Sequence, residues 1–180
     1  MNFFINFFDN INDDSARKLM ELCSQVRDTH NPESITILFS SGGGFVNSGV
    51  CLYNFLKAFP CEIIMHNIGN IDSSAVIVFL AGSKRFSSPV SSFLLHGITW
   101  NFLSDAQFKK EQLSEILSGM EENEKRIAKI LSSNTSLTTE EVENIFKQGE
   151  TKTPDFAKEK GIVHEIKEPK IEKDDLLFNV

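Results

Sequence analysis

Apolar positions along this chain recur in two rhythms, and they alternate. Phe3-Phe4-Ile5-Asn6-Phe7-Phe8 is a dense apolar run stopped by Asp9, which predicts a first strand. Ala16, Leu19, Met20, Cys23 and Val26 then fall at three- and four-residue intervals, predicting an amphipathic helix capped by Asp13-Asp14-Ser15 and closed at Asn31-Pro32. Ile35 to Phe39 is β-branched and apolar, the pattern of a buried strand. The turn Ser40-Ser41-Gly42-Gly43-Gly44 leads into a helix carrying Val46, Val50, Tyr53 and Leu56, which Pro60 breaks. Glu62 to Met65 reads as a strand and Asn67 to Asp72 as a loop. Ser73 to Ala81 reads as an almost wholly apolar, buried helix ended by Gly82. Phe93-Leu94-Leu95 predicts a short strand with His96-Gly97 at its end.

The pattern changes near Ser104, where a long polar helix begins. Phe108, Leu113, Ile116, Leu117, Met120, Ile127 and Ile130 make only a narrow apolar stripe, which needs cover from its own domain or from another subunit. Thr138-Thr139-Glu140-Glu141 resembles a capping box, and Thr153-Pro154 opens one more helix that closes at Gly161. Ile162 to Ile166 predicts the last strand, and the charged tail from Lys167 is expected to be loosely held. Alternating strands and helices predict an α/β fold of crossover units. The expected division is one domain over 1–166, with a long helix about 104–133 between the segments 1–103 and 134–166, then a charged tail over 167–180.

Composition narrows the function classes. The 180 residues suffice for one domain with a sizeable core. Eighteen basic residues stand against 25 acidic, a net charge of −7, which argues against a nucleic-acid partner. The 16 Phe read as core filling. The longest apolar run, Ala75 to Ala81, is far short of the ~20 residues a membrane span needs. Cys23, Cys51 and Cys61 show no metal-like spacing and read as reduced, mostly buried thiols of a cytoplasmic protein; no cofactor and no metal is expected.

Candidate chemistry falls at the ends of predicted strands, where α/β proteins place their sites. The triple glycine can turn its N–H groups toward an anion or oxyanion, or it can be an ordinary tight turn. Ser73 at the head of a buried helix sits at the positive end of its dipole, beside the Ser74 N–H, although Ser is also a common cap. His96 has the chemistry of a general base near neutrality, and a structural histidine at a strand end is the plainer reading.

Taken together, these segments resemble the proteolytic subunit of the ATP-dependent Clp protease, the ClpP family, from Ile5 to Ile166. Ser40-Ser41-Gly42-Gly43-Gly44 is similar to that family's Asn-Ser-Pro-Gly-Gly, and Ser48-Gly49-Val50-Cys51-Leu52-Tyr53-Asn54 to its Ala-Gly-x-x-x-Tyr-Asp. Gly69-Asn70-Ile71-Asp72-Ser73-Ser74-Ala75, closed by Ala81-Gly82, is similar to the nucleophile segment. Lys84-Arg85-Phe86 with Pro89, Leu94-Leu95-His96, and Ala157 to Val163 follow in the family's order. The resemblance implies a ClpP/crotonase-like spiral of β-α units with a protruding handle helix. It also implies a serine endopeptidase hydrolysing unfolded polypeptides inside an oligomeric chamber. Ser73 would be the nucleophile and His96 the base, with Gly43 and Ser74 N–H groups as the oxyanion hole. Expected partners are further copies of the chain in a ring or stacked rings, and a Clp-type ATPase, although the family's axial gate segment has no counterpart ahead of the first strand.

Departures from the pattern carry weight. Gly149 stands where the family has its Asp, with Glu150 beside it, so Glu150 is expected to orient His96 or the site to work as a dyad. Gly42 replaces Pro and Ser74 replaces Met. A catalytically weak or inactive scaffolding subunit is therefore the alternative. An acyl-CoA enzyme of the crotonase type and a Ser-Lys protease using Lys84 are the remaining readings.

Overall fold

The computed structural model describes residues 1–99 and 107–180. Strand β1 (Phe3–Phe8) is followed by helix α1 (Asp13–His30), β2 (Ser34–Ser41), α2 (Val46–Ala58), β3 (Glu62–Asp72) and α3 (Ser74–Phe79). Then come β4 (Lys84–Ser87), β5 (Ser92–Leu94), α4 (Lys110–Asn134), α5 (Thr139–Gln148), β6 (Thr151–Lys152), α6 (Pro154–Glu159), β7 (Glu165–Ile166) and β8 (Leu176–Asn179).

One mixed sheet runs β6-β5-β3-β2-β1-β8, with β4 on β3 and β7 on β4; every pairing is parallel except β5 with β6. β3 organises it. Its first half, Ile64 to Asn67, pairs with β4, and its last residues, Asn70 to Asp72, pair with β5. The sheet therefore forks along one strand and delivers Ser73 and the end of β5 to the same place. Consecutive residues of β1 are buried (Phe3, Phe4, Ile5), as expected for a parallel strand covered on both faces. Phe7 stacks on Phe39 at 5.0 Å, and Phe79 meets Phe93 edge-on at 5.7 Å.

Helix ends follow local chemistry. Asn12, one residue before the expected cap, accepts from the Asp14 and Ser15 N–H groups while Ser15 Oγ accepts from the Asn12 N–H. Thr138 and Glu141 close the expected box at α5, and Thr153 caps α6 with Pro154 behind it. The start of the handle helix near Ser104 lies outside the described residues, whose helix begins at Lys110. Ile127 and Leu131 of α4 reach the core, whereas Leu113 and Leu117 are exposed.

Three expectations are corrected. The stretch from Asn67 to Asp72 is strand, because Ser92 and Phe93 of β5 and Ser41 of β2 pair with its end. The tail is not loose: Leu176 to Asn179 add to the sheet edge beside β1, and Asp175 accepts from the Asn2 N–H and Nδ2. Of the cysteines only Cys23 is buried, its thiol pushed up to about 12 by desolvation; Cys51 is exposed and Cys61 half-buried.

Candidate functional site

Ser73 sits on a sharp elbow between β3 and α3. Its φ of 57° and ψ of −129° lie in a region that a residue with a Cβ rarely occupies, so the elbow is strained. Two contacts hold it there. The Ser73 N–H donates to the Leu94 carbonyl at 2.7 Å, and Gly43 packs so close that a Cβ on it would lie 2.7 Å from the Ser73 Cβ. Gly43 and Gly44 have φ of 83° and 145°, which is why this turn is built from glycine. The turn is also tied down from the first helix's entry: Ile11 N–H donates to the Gly43 carbonyl and Phe45 N–H to the Ile11 carbonyl, both at 2.8 Å.

His96 follows β5 by two residues. Ser73 and His96, half-buried, line one cavity of about 80 Å3, walled by Gly44, Val76, Ile127 and Phe146 among others. No hydrogen bond joins the two side chains. The His96 Nδ1 donates to the Gly97 carbonyl at 2.6 Å, which leaves Nε2 as the ring's acceptor. The Ser74 N–H heads α3 as one of the free donors of a helix start, and the Ser74 Oγ is buried with no partner among the described residues.

Two expectations about neighbours change. Gly43 does not turn its N–H to the cavity: that group donates to Ser41 Oγ at 3.1 Å, and Gly44 forms the wall. Among the described residues the Gly44 N–H makes no hydrogen bond. Glu150 does not hold His96. Its carboxylate pairs with Lys152 at 2.9 Å and its side chain is 67% exposed. Gly149 caps α5 with φ of 59°, two residues before Thr151, which pairs with Leu94 of β5.

Sequence reasoning missed Glu124. It projects from α4, and its Oε1 accepts the Ile98 N–H at 3.2 Å, two residues past His96. Twenty-six residues separate the two, and no local pattern links them.

Residues 2–170 match the family model described as Clp protease. The ATP-dependent Clp protease proteolytic subunit 2 of Corynebacterium efficiens is 25% identical over 165 residues, 87% of this chain and 77% of that one. Proteolytic subunit 1 of Chlamydia felis is 25% identical over 112 residues, which spans 61% of this chain and about half (53%) of that relative. Among solved structures, ClpP1 from Listeria monocytogenes superposes with a TM-score of 0.76 at 21% identity, covering 93% of this chain and 92% of that one. A point mutant of the same protein gives 0.77 at 22% identity, covering 92% and 91%.

Proposed function

Because the chain belongs to the Clp protease family, we propose that it is a serine endopeptidase in which Ser73 attacks the peptide carbonyl and His96 takes its proton. The single observation carrying this reading is that the strained Ser73 elbow and His96 line one cavity. The Nδ1–H of His96 is committed to Gly97, so its Nε2 is the basic nitrogen available to a serine hydroxyl. The tetrahedral oxyanion would be met by the N–H groups of Ser74 and Gly44, the latter in place of Gly43. His96 then returns the proton to the leaving amine, and water hydrolyses the acyl-enzyme with His96 as base again.

An extended, unfolded polypeptide is the substrate that the backbone-lined turn at Gly42 to Gly44 suits. The exposed Leu113 and Leu117 on α4 support assembly with further copies in a ring or stacked rings, inside whose chamber cleavage would occur. A Clp-type ATPase is the partner the family implies. Three free thiols, two of them not buried, support a reducing, cytoplasmic setting, and no described helix is long and apolar enough to cross a membrane.

One observation favours a second reading, a weak or inactive scaffolding subunit: no carboxylate contacts the His96 ring among the described residues. A fluorophosphonate probe separates the two. Labelling that disappears in Ser73→Ala, together with hydrolysis of an unfolded protein, supports the protease; a native protein that takes up no label supports the scaffold.

A further inference from the structure

The Gly97–Ile98 peptide group has a partner at each end. Its carbonyl accepts the His96 Nδ1–H at 2.6 Å, and its N–H donates to Glu124 Oε1 at 3.2 Å. In a trans peptide these two groups point in opposite directions, so imidazole and carboxylate lie on opposite sides of one planar unit. The cavities agree. His96 lines the small cavity with Ser73, Glu124 lines a separate groove of about 650 Å3 between α4 and α5, and Gly97 and Phe146 form the wall common to both. A Cβ on Gly97 would stand 3.3 Å from Glu124 Oε1, a tight contact that places the carboxylate directly against this stretch of backbone. In the preceding peptide unit the Gly97 N–H donates to the Phe146 carbonyl at 3.3 Å, fixing the chain beside it to α5 as well.

From this arrangement we propose that Glu124 is a positioning residue for His96, acting through the intervening peptide group. A carboxylate bonded to the peptide N–H draws electron density toward the carbonyl oxygen, which strengthens the bond that oxygen accepts from Nδ1–H. The result is an imidazole held in the tautomer that leaves Nε2 bare. A serine triad obtains this from a carboxylate placed directly on Nδ1. Here Gly149 has no side chain to supply one and Glu150 is turned to Lys152. Among the described residues Glu124 forms no ion pair within 4 Å, and Lys125, Lys129 and Lys147 line the same groove at longer range. The catalytic consequence rests on the Ser73–His96 reading above; the tautomer does not.

The test is Glu124→Gln, which keeps an oxygen for the Ile98 N–H and removes only the charge. Protein carrying 15N-labelled histidine, with the His96 signals assigned through His96→Gln, reports the ring tautomer directly at pH 8. The native ring is expected to be almost entirely Nδ1–H, and Glu124→Gln to show a mixture, with circular dichroism unchanged. Peptide hydrolysis is expected to lose ~10-fold in kcat with KM little altered. An identical tautomer ratio in the native protein and Glu124→Gln overturns the proposal. A native protein without peptidase activity, in which Glu124→Gln still shifts the tautomer, supports the positioning role and sinks the protease reading instead.

Discussion

The N–H of Ser73 donates to the carbonyl of Leu94 across 2.7 Å, so the elbow carrying the serine is fastened to the last residue of β5, two residues before His96. This bond makes the relative placement of the two candidate groups a property of backbone, not of side-chain chance. It also explains how φ of 57° at Ser73 persists. Ser73→Gly relieves that strain, whereas Ser73→Ala keeps it. Both variants should lose peptide hydrolysis. Urea unfolding should place Ser73→Gly about 1 kcal/mol above Ser73→Ala, after the extra freedom of an unfolded glycine is offset. Equal midpoints would mean that the elbow is not strained.

The alternation of strands and helices was legible because parallel strands buried on both faces advertise themselves as apolar runs. What was not legible came from pairings between distant segments. Asn67 to Asp72 is too polar to read as strand, yet its end pairs with β5 and Asn67 Nδ2 reaches the Ser92 carbonyl at 3.1 Å. Leu176 to Asn179 sits in a charged context, and only β1 makes it a strand. At the site, a glycine triplet signals a tight turn but not which N–H faces the cavity; Ser41 Oγ decides that by occupying Gly43. Glu124 is on a helix face that reads as solvated, and only the packing of α4 against the loop after His96 brings it there.

Arg85 is buried, and among the described residues no carboxylate pairs with it. Its guanidinium donates instead to four carbonyls, of Ile162, Gly82, Asn134 and Gly161, at 2.8 to 3.0 Å. These belong to the turn after α3, the end of α4 and the turn after α6, so one planar fork ties the C-terminal end of α4 to both turns. A lysine cannot spread three short donors over the same four acceptors. Arg85→Lys should lower unfolding free energy by about 3 kcal/mol, measured by urea titration. A loss under about 1 kcal/mol would show that water can replace these bonds.

His66 and His164 predict an acid-side loss of stability. Burial lowers the His66 pKa, although its Nε2–H donates to the Lys167 carbonyl at 3.0 Å; desolvation and then the Arg85 charge lower that of His164, whose Nδ1 accepts the Arg85 N–H. Both therefore fold as the neutral ring, with folded values below the unfolded ~6.5. Their stabilisation is complete above pH 6.5 and is lost as pH falls through the folded values. Thermal melting should be level between pH 7 and 8 and decline below 6.5, before carboxylates such as Glu62 begin to protonate. His66→Gln should flatten part of that decline, and an identical slope in the variant would remove His66 from the account.

The handle helix separates two kinds of leucine. Leu131 is 1% exposed and packs into the core, whereas Leu117 is 57% exposed on the same helix. Leu131→Asp should unfold the chain. Leu117→Asp should leave circular dichroism unchanged and reduce the mass found by light scattering, because the face it spoils is one that further subunits would cover. A native protein that is monomeric at micromolar concentration would end the chamber reading.

Gly149 offers the most direct trial of what the site lacks. Extrapolating the β5–β6 pairing two residues past Leu94 and Thr151 would bring it toward His96, and among the described residues nothing lies within 4 Å of where its Cβ would be. Its φ of 59° is left-handed, which Asp and Asn tolerate better than other residues with a side chain, at a cost of about 1 kcal/mol. Gly149→Asp should therefore fold, melt slightly lower and raise kcat for an unfolded substrate by ~10-fold. The gain should stay well under the ~10,000-fold that loss of the carboxylate costs a triad enzyme, because His96 Nδ1 already has the Gly97 carbonyl as partner. Gly149→Asn keeps the shape without the charge and should not raise kcat. If Asp and Asn give the same rate, the empty position at Gly149 is not where a carboxylate would act on this imidazole, and the orientation of His96 rests on the Gly97 peptide alone.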